Sequence, residues 1–218
     1  MATFVLIHGA GDGGWYWHLT EAALRSRGHE VVAPDLPADD ESAGLSAYAD
    51  AVVDAIGDRD ELVVVGQSFG AFTAPLVCER VATDLLVLVA GMIPSPGEPP
   101  DDWWANTGYG SEVAAPDDDP VAAYYHDVPP ELAAEALRRE RNHPSAKAGR
   151  EPWPLTAWPD VPTRVLLGRD DRLFPLEFLG RVTRERLGIT SDEIEGGHCP
   201  ALGHPQELAE RLEAYRTS

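Results

Sequence analysis

Positive charge is what this chain of 218 residues has least of: 17 Lys and Arg stand against 37 Asp and Glu, a net charge of −20. With no basic stripe to neutralise phosphates, nucleic acid is not a partner. An acidic surface confers solubility and mildly repels anions within a Debye length, so neutral or cationic substrates are favoured. Cysteine is nearly as scarce. Cys78 and Cys199 are far apart and show neither zinc-ligand spacing nor a disulfide framework, so both are read as free thiols of a reducing compartment, with no metal and no cofactor implied. No apolar run reaches membrane-spanning length, and Met1 to Ile7 lacks the charged start of a leader. The reading is therefore a soluble, cytoplasmic protein with no membrane partner, monomeric or homodimeric.

The remaining composition is ordinary, 44% hydrophobic and 25% charged. A chain of this length buries roughly 70% of its unfolded surface as one domain, with or without an insertion. Its most informative stretch is Glu61 to Phe72, where the buried-strand run Leu62-Val63-Val64-Val65 meets Gly66-Gln67-Ser68-Phe69-Gly70 and a helix is predicted from Ala71 to Arg80. This is the layout of a nucleophile elbow. A strand turning straight into a helix strains the backbone of the serine, and side chains at positions 66 and 70 would meet neighbouring backbone. The turn leaves the Ser68 hydroxyl at the positive end of a helix.

Thr3–Ile7 is a short strand ended by His8-Gly9-Ala10-Gly11-Asp12-Gly13-Gly14, with glycine at four of seven positions. The loop lacks the Lys-Ser/Thr of a P-loop. Gly9, Gly11 and Gly14 satisfy the bare dinucleotide spacing, and Asp35 lies where a ribose-binding acid would, so a dinucleotide site stands as an alternative, although Asp35 reads better as a loop or cap residue. A helix is predicted over 17–27, a strand over 30–34, a helix over 45–56 and a strand over 84–90. Residues 91–160 then hold most of the prolines and four of the six tryptophans, and only 129–141 is strongly helical. Aromatic richness distinguishes such a segment from a disordered linker, so it is read as a lid inserted into a core of residues 1–90 and 161–218. Trp103, Trp104, Tyr124 and Trp153 are its candidate substrate-binding residues. Regularity resumes with a strand at 162–168, a helix at 176–187, a strand at 191–195 and a helix at 205–215.

Strands alternating with helices make a parallel sheet covered on both faces, whose working residues lie beyond the carboxyl ends of the strands. Ser68, the pair Asp170-Asp171 and His198 are each placed there, in the chain order Ser, Asp, His. A serine hydroxyl needs a base to take its proton, and the imidazole needs a carboxylate on its other nitrogen. Asp171 is preferred to Asp170 because it lies farther into the loop, three residues past Gly168.

On these motifs the chain resembles the α/β-hydrolase superfamily over nearly its whole length, and His8 to Trp15 with Trp17, Asp171 to Pro175 and Glu195 to His198 look like the branch of plant methylesterases and hydroxynitrile lyases. The resemblance implies a six-stranded parallel sheet with an inserted lid, since the first strand begins at Thr3. It also implies an oxyanion hole at the backbone N–H groups of Ala10 and Phe69, and a serine esterase cleaving a small-to-medium carboxylic ester through an acyl-enzyme. The lyases have threonine and lysine where this chain has Gly9 and Cys199, so a cation to accept cyanide is missing. A ligand receptor with a retained but slow triad is the alternative from another class.

Overall fold

Six strands form one parallel sheet: β1 Thr3–Ile7, β2 Glu30–Val32, β3 Leu62–Gln67, β4 Leu85–Val89, β5 Thr163–Gly168 and β6 Asp192–Ile194, in the order β2-β1-β3-β4-β5-β6. The computed structural model describes residues 1–114, 118–142 and 144–217. β2 stops two residues earlier than its sequence suggests, because Pro34 has no N–H to give to a ladder. The strands show no polar alternation because both faces are covered. Val5 and Ile7 enter a core with Leu45, Tyr48, Phe72 and Val182. Phe4 and Leu6, pointing the other way, enter a second core with Trp17, Leu24, Leu208 and Leu212.

The helices that make these layers are α1 His18–Ser26, α2 Leu45–Ile56 and α3 Gly70–Cys78 before the insertion, and α9 Leu176–Leu187, α10 Pro200–Gly203 and α11 Pro205–Thr217 after it. The chain leaves β1 for the edge strand β2 and then crosses to β3 on the other side of β1. That reversal opens a crevice between the carboxyl ends of β1 and β3, where His8 and Ser68 follow their strands.

Among the described residues between β4 and β5 lie five α-helices, α4 Trp103–Asn106, α5 Tyr109–Glu112, α6 Pro120–Tyr124, α7 Pro130–Arg139 and α8 Ala146–Arg150. Residues 115–117 and 143 of this segment lie outside the described residues. Only α7 has a periodic pattern long enough to read from sequence. The segment between β4 and β5 is anchored in the core: Trp103 and Trp153 belong to the first cluster. Buried Glu98 pairs with Arg186 of α9, whose Nη2 donates to Glu98 Oε1 at 2.8 Å. No helix among the described residues is long and apolar enough to cross a membrane.

Candidate active site

Ser68 stands at φ 50°, in the left-handed region that a residue with a side chain avoids. Its N–H donates to the Val89 carbonyl at 3.0 Å, and its own carbonyl accepts from Met92 at 3.0 Å and Ala71 at 3.1 Å. The strain is thus held by β4 and α3 on either side. A Cβ at Gly70 would lie 2.7 Å from the Ile7 carbonyl oxygen, and one at Gly66 would lie 2.8 Å from that of Gly70. Since these are backbone atoms that cannot swing away, both positions need glycine.

Three polar side chains, each at most 6% exposed, form one hydrogen-bonded line. His198 Nε2 lies 3.1 Å from Ser68 Oγ, and its Nδ1 lies 2.9 Å from Asp171 Oδ2. An ionised carboxylate only accepts, so Nδ1 carries the proton and Nε2 is left to accept from the serine. The other oxygen, Asp171 Oδ1, accepts from the N–H groups of Leu173 and Phe174, each at 2.9 Å. Asp170 is exposed; it is occupied through its backbone, with its N–H on Gly196 and its carbonyl accepting from His126 Nε2, each at 3.0 Å. The Phe174 and His198 rings meet at an interplanar angle of 79°, with centroids 5.2 Å apart.

The loop that carries His198 is tied down by two side chains to which the sequence reading gave no part. Gln67 Nε2 donates to the His198 carbonyl at 3.2 Å, and Asp127 Oδ2 accepts from the Gly197 N–H at 2.7 Å. Gln67 stood within the pentapeptide; Asp127, 71 positions before His198, left no signal in the spacing.

The glycine loop is fixed by buried His8. Its Nδ1–H donates to the Gly9 carbonyl at 3.0 Å and its Nε2 accepts from the Leu36 N–H at 3.2 Å. Burial pushes its pKa down to about 4, so the ring is neutral. Asp35 Oδ1 accepts from the Gly14 N–H at 2.7 Å, and a Cβ at Gly13 would lie 2.7 Å from the same oxygen. A Cβ at Gly9 or Gly14 would overlap the Gln67 side chain or the Ala33 carbonyl. These glycines and Asp35 serve the loop's own packing, so the features that suggested a dinucleotide have a structural cause.

A cavity of about 400 Å³ opens above this line, with Ala10, Ser68 and His198 in its floor and Trp104, Tyr124 and Phe174 among its walls. Its size suits a small ligand. Phe69 has its side chain buried against Phe72, so only its backbone is available to the site. Asp12 and Glu140 also line the cavity and were not singled out in the sequence. A wider hollow of about 680 Å³ on the outer side of α9 contains none of the three linked residues.

Two of the four proposed substrate contacts need correction. Trp103 is fully buried, its Nε1 donating to the Ile93 carbonyl at 2.9 Å, and Trp153 is 2% exposed with its Nε1 on the Phe72 carbonyl at 3.0 Å. Neither lines the cavity, whereas Trp104 and Tyr124 do. Adjacent residues on one helical turn face different ways, so the pair Trp103-Trp104 divides between core and cavity. Among the described residues one group, Glu195, His204 and Glu207, brings metal-ligating atoms within 4.8 Å of one another. It lies outside the cavity, and in so acidic a chain such groupings arise without an ion.

The model of the alpha/beta hydrolase family matches residues 4–211. Norfluorocurarine synthase 1 of Strychnos is 25% identical over 96% of this chain and 93% of its own length. Methylesterase 7 of Arabidopsis thaliana is 24% identical over 96% and 94%. The crystal structure of polyneuridine aldehyde esterase superposes with a TM-score of 0.80 at 20% identity, covering 99% of both chains.

Proposed function

The chain belongs to the alpha/beta hydrolase family as a carboxylic ester hydrolase, and we propose that it works as a serine esterase through an acyl-enzyme. The observation that carries this reading is the hydrogen-bonded line Ser68–His198–Asp171 in the floor of the cavity.

Ser68 Oγ attacks the ester carbonyl carbon while its proton passes to His198 Nε2. The imidazolium so formed is stabilised by Asp171, whose geometry is set by the Leu173 and Phe174 amides rather than by the histidine alone. The N–H groups of Ala10 and Phe69 receive the oxyanion, and the rigid loop fixed by His8 holds the first of them in place. Collapse of the tetrahedral intermediate expels the alkoxide, which takes the proton from Nε2 and leaves as the alcohol. Water then attacks the acyl-enzyme with His198 again as base, releasing the acid and restoring Ser68. Segment 91–160 acts as the lid, and Trp104 and Tyr124 are the parts of it that meet the substrate. The lyase alternative lacks its cation: Cys199 is buried, and desolvation holds its thiol protonated, well above the ordinary range.

The test is labelling by a fluorophosphonate together with steady-state hydrolysis of 4-nitrophenyl esters. Labelling and turnover that both vanish in Ser68→Ala support the reading. Labelling without turnover of any ester in the series supports a receptor with a retained triad instead.

A further inference from the structure

The walls of the catalytic cavity are chemically uneven. Four of their side chains, Trp104, Tyr124, Tyr125 and Phe174, are aromatic, and two, Asp12 and Glu140, are carboxylic acids. Arg141 is the one Lys or Arg among the described lining residues, and its guanidinium pairs with carboxylates that do not line the cavity: Nη2 lies 2.7 Å from Asp39, and Nη1, which makes no hydrogen bond, lies 3.5 Å from Asp35. Asp12 has no such partner among the described residues. It projects from the glycine loop into the cavity, and of the groups acting on it only His198 favours its ionised form, while Glu140 opposes it. Tyr16, Tyr125 and Cys199 also face it, and all three are held in their uncharged forms, above all by burial. Cavity walls made of aromatic side chains and a carboxylate without an ion-pair partner suit an organic cation, which gains from the ring quadrupoles and from the carboxylate together. The net charge of −20 adds attraction for cations at longer range.

We infer that the cavity takes esters whose acyl or alcohol part carries an ammonium cation, received by the Asp12 carboxylate with Glu140 beside it and the aromatic side chains around it. The ester half of this statement rests on the function proposed above; the cation half does not. Loss of hydration raises the Asp12 pKa to about 7. A carboxyl destabilised as an anion for want of a counter-ion gains most when a cation arrives, and binding then releases its proton. A neutral ester would bury the same carboxyl with no return.

A pair of esters of equal shape tests this at pH 8, above the Asp12 pKa of about 7: 4-nitrophenyl 4-(trimethylammonio)butanoate and its uncharged isostere 4-nitrophenyl 5,5-dimethylhexanoate. The wild type is expected to favour the cation by at least about tenfold in kcat/KM, with the ratio compressed by added salt. Asp12→Asn should bring the ratio down by about tenfold and Glu140→Gln by about threefold. A wild-type ratio near one, or a ratio that neither variant moves, overturns the inference. If neither ester is turned over, calorimetry with choline against 3,3-dimethylbutan-1-ol decides. Tighter binding of choline, lost in Asp12→Asn, keeps the cation site and removes the esterase reading; equal or undetectable binding of the two overturns the cation site.

Discussion

Replacing Asp171 by asparagine removes one charge and, at first sight, little else, yet the surroundings dictate which way the new amide must face. The Leu173 and Phe174 N–H groups, each 2.9 Å from Oδ1, demand an acceptor there, so the carbonyl oxygen of an asparagine takes that place. Its NH2 group then occupies the position of Oδ2, 2.9 Å from His198 Nδ1, and presents a donor where an acceptor stood. The imidazole answers by placing its proton on Nε2, which now donates towards Ser68 and can no longer take the hydroxyl proton. Wrong-tautomer losses of this kind amount to about 10⁴ in kcat, or about 5 kcal/mol of activation free energy. Stability should fall by only about 1–2 kcal/mol, because both amide donors keep a partner. The assay is hydrolysis of 4-nitrophenyl acetate with active-site titration, paired with thermal unfolding and with Asp170→Asn, which alters an exposed side chain and should stay within about twofold. The loss is expected in kcat rather than KM, since binding is untouched. Activity of Asp171→Asn within tenfold of the parent, or a larger loss in Asp170→Asn, would refute the assignment of the acid.

Ser68→Ala is expected to lower kcat by about 10⁶ and to abolish fluorophosphonate labelling, whereas Ser68→Gly should also raise stability by about 1 kcal/mol by relieving the positive φ; an unchanged melting temperature in the glycine variant contradicts the strain. Trp104→Ala should change the kcat/KM ratio of an aromatic to a short aliphatic ester, while Trp103→Ala should cost about 3–5 kcal/mol of stability by opening a cavity in the core, so denaturant melts and ester pairs together separate the two residues. For His8, folding lowers the pKa from 6.5 to about 4, so above pH 6.5 both states are neutral and nothing is lost. As pH falls from there towards 4 the unfolded chain takes up a proton that the folded one refuses, and stability declines by up to about 3 kcal/mol. Melts of His8→Gln, which keeps an acceptor but cannot titrate, should be flatter than wild type across that window.

The sheet was legible because its physics is local. β1, β3 and β4 are short, mainly apolar runs, and helices α2 and α9 have the bounds their sequences suggest, 45–56 and 176–187, because Gly57 and Gly188 stop them at positive φ. The insertion was not legible in the same way. Its helices α4, α5, α6 and α8 have four or five residues each, too few for a 3.6-residue period to register against chance. They are held by distant groups instead: the Tyr109 hydroxyl donates to the Leu173 carbonyl at 2.8 Å, and the Ser145 N–H donates to the Tyr48 hydroxyl at 2.9 Å.

The same distinction divides the candidate site. Ser68, Asp171 and His198 could be placed together from sequence because each stands within four residues of a strand end, and parallel strands deliver all their carboxyl ends to one edge. Residues that reach the cavity from the insertion carry no such address. Composition marked Trp103, Trp104 and Trp153 alike, but a tryptophan among prolines is equally suited to seal an insertion onto the core, and only the direction of its Cα–Cβ bond decides. Asp12 was hidden for the opposite reason. In sequence it is one acidic residue among 37 Asp and Glu, inside a loop whose glycines claim the explanation. Its distinction is the lack of an ion-pair partner among the described residues, and its neighbours Glu140 and His198 come to it from distant parts of the chain. The candidate catalytic groups on a strand edge are therefore readable in one dimension, whereas the groups proposed to choose what enters are defined by what the fold leaves uncompensated.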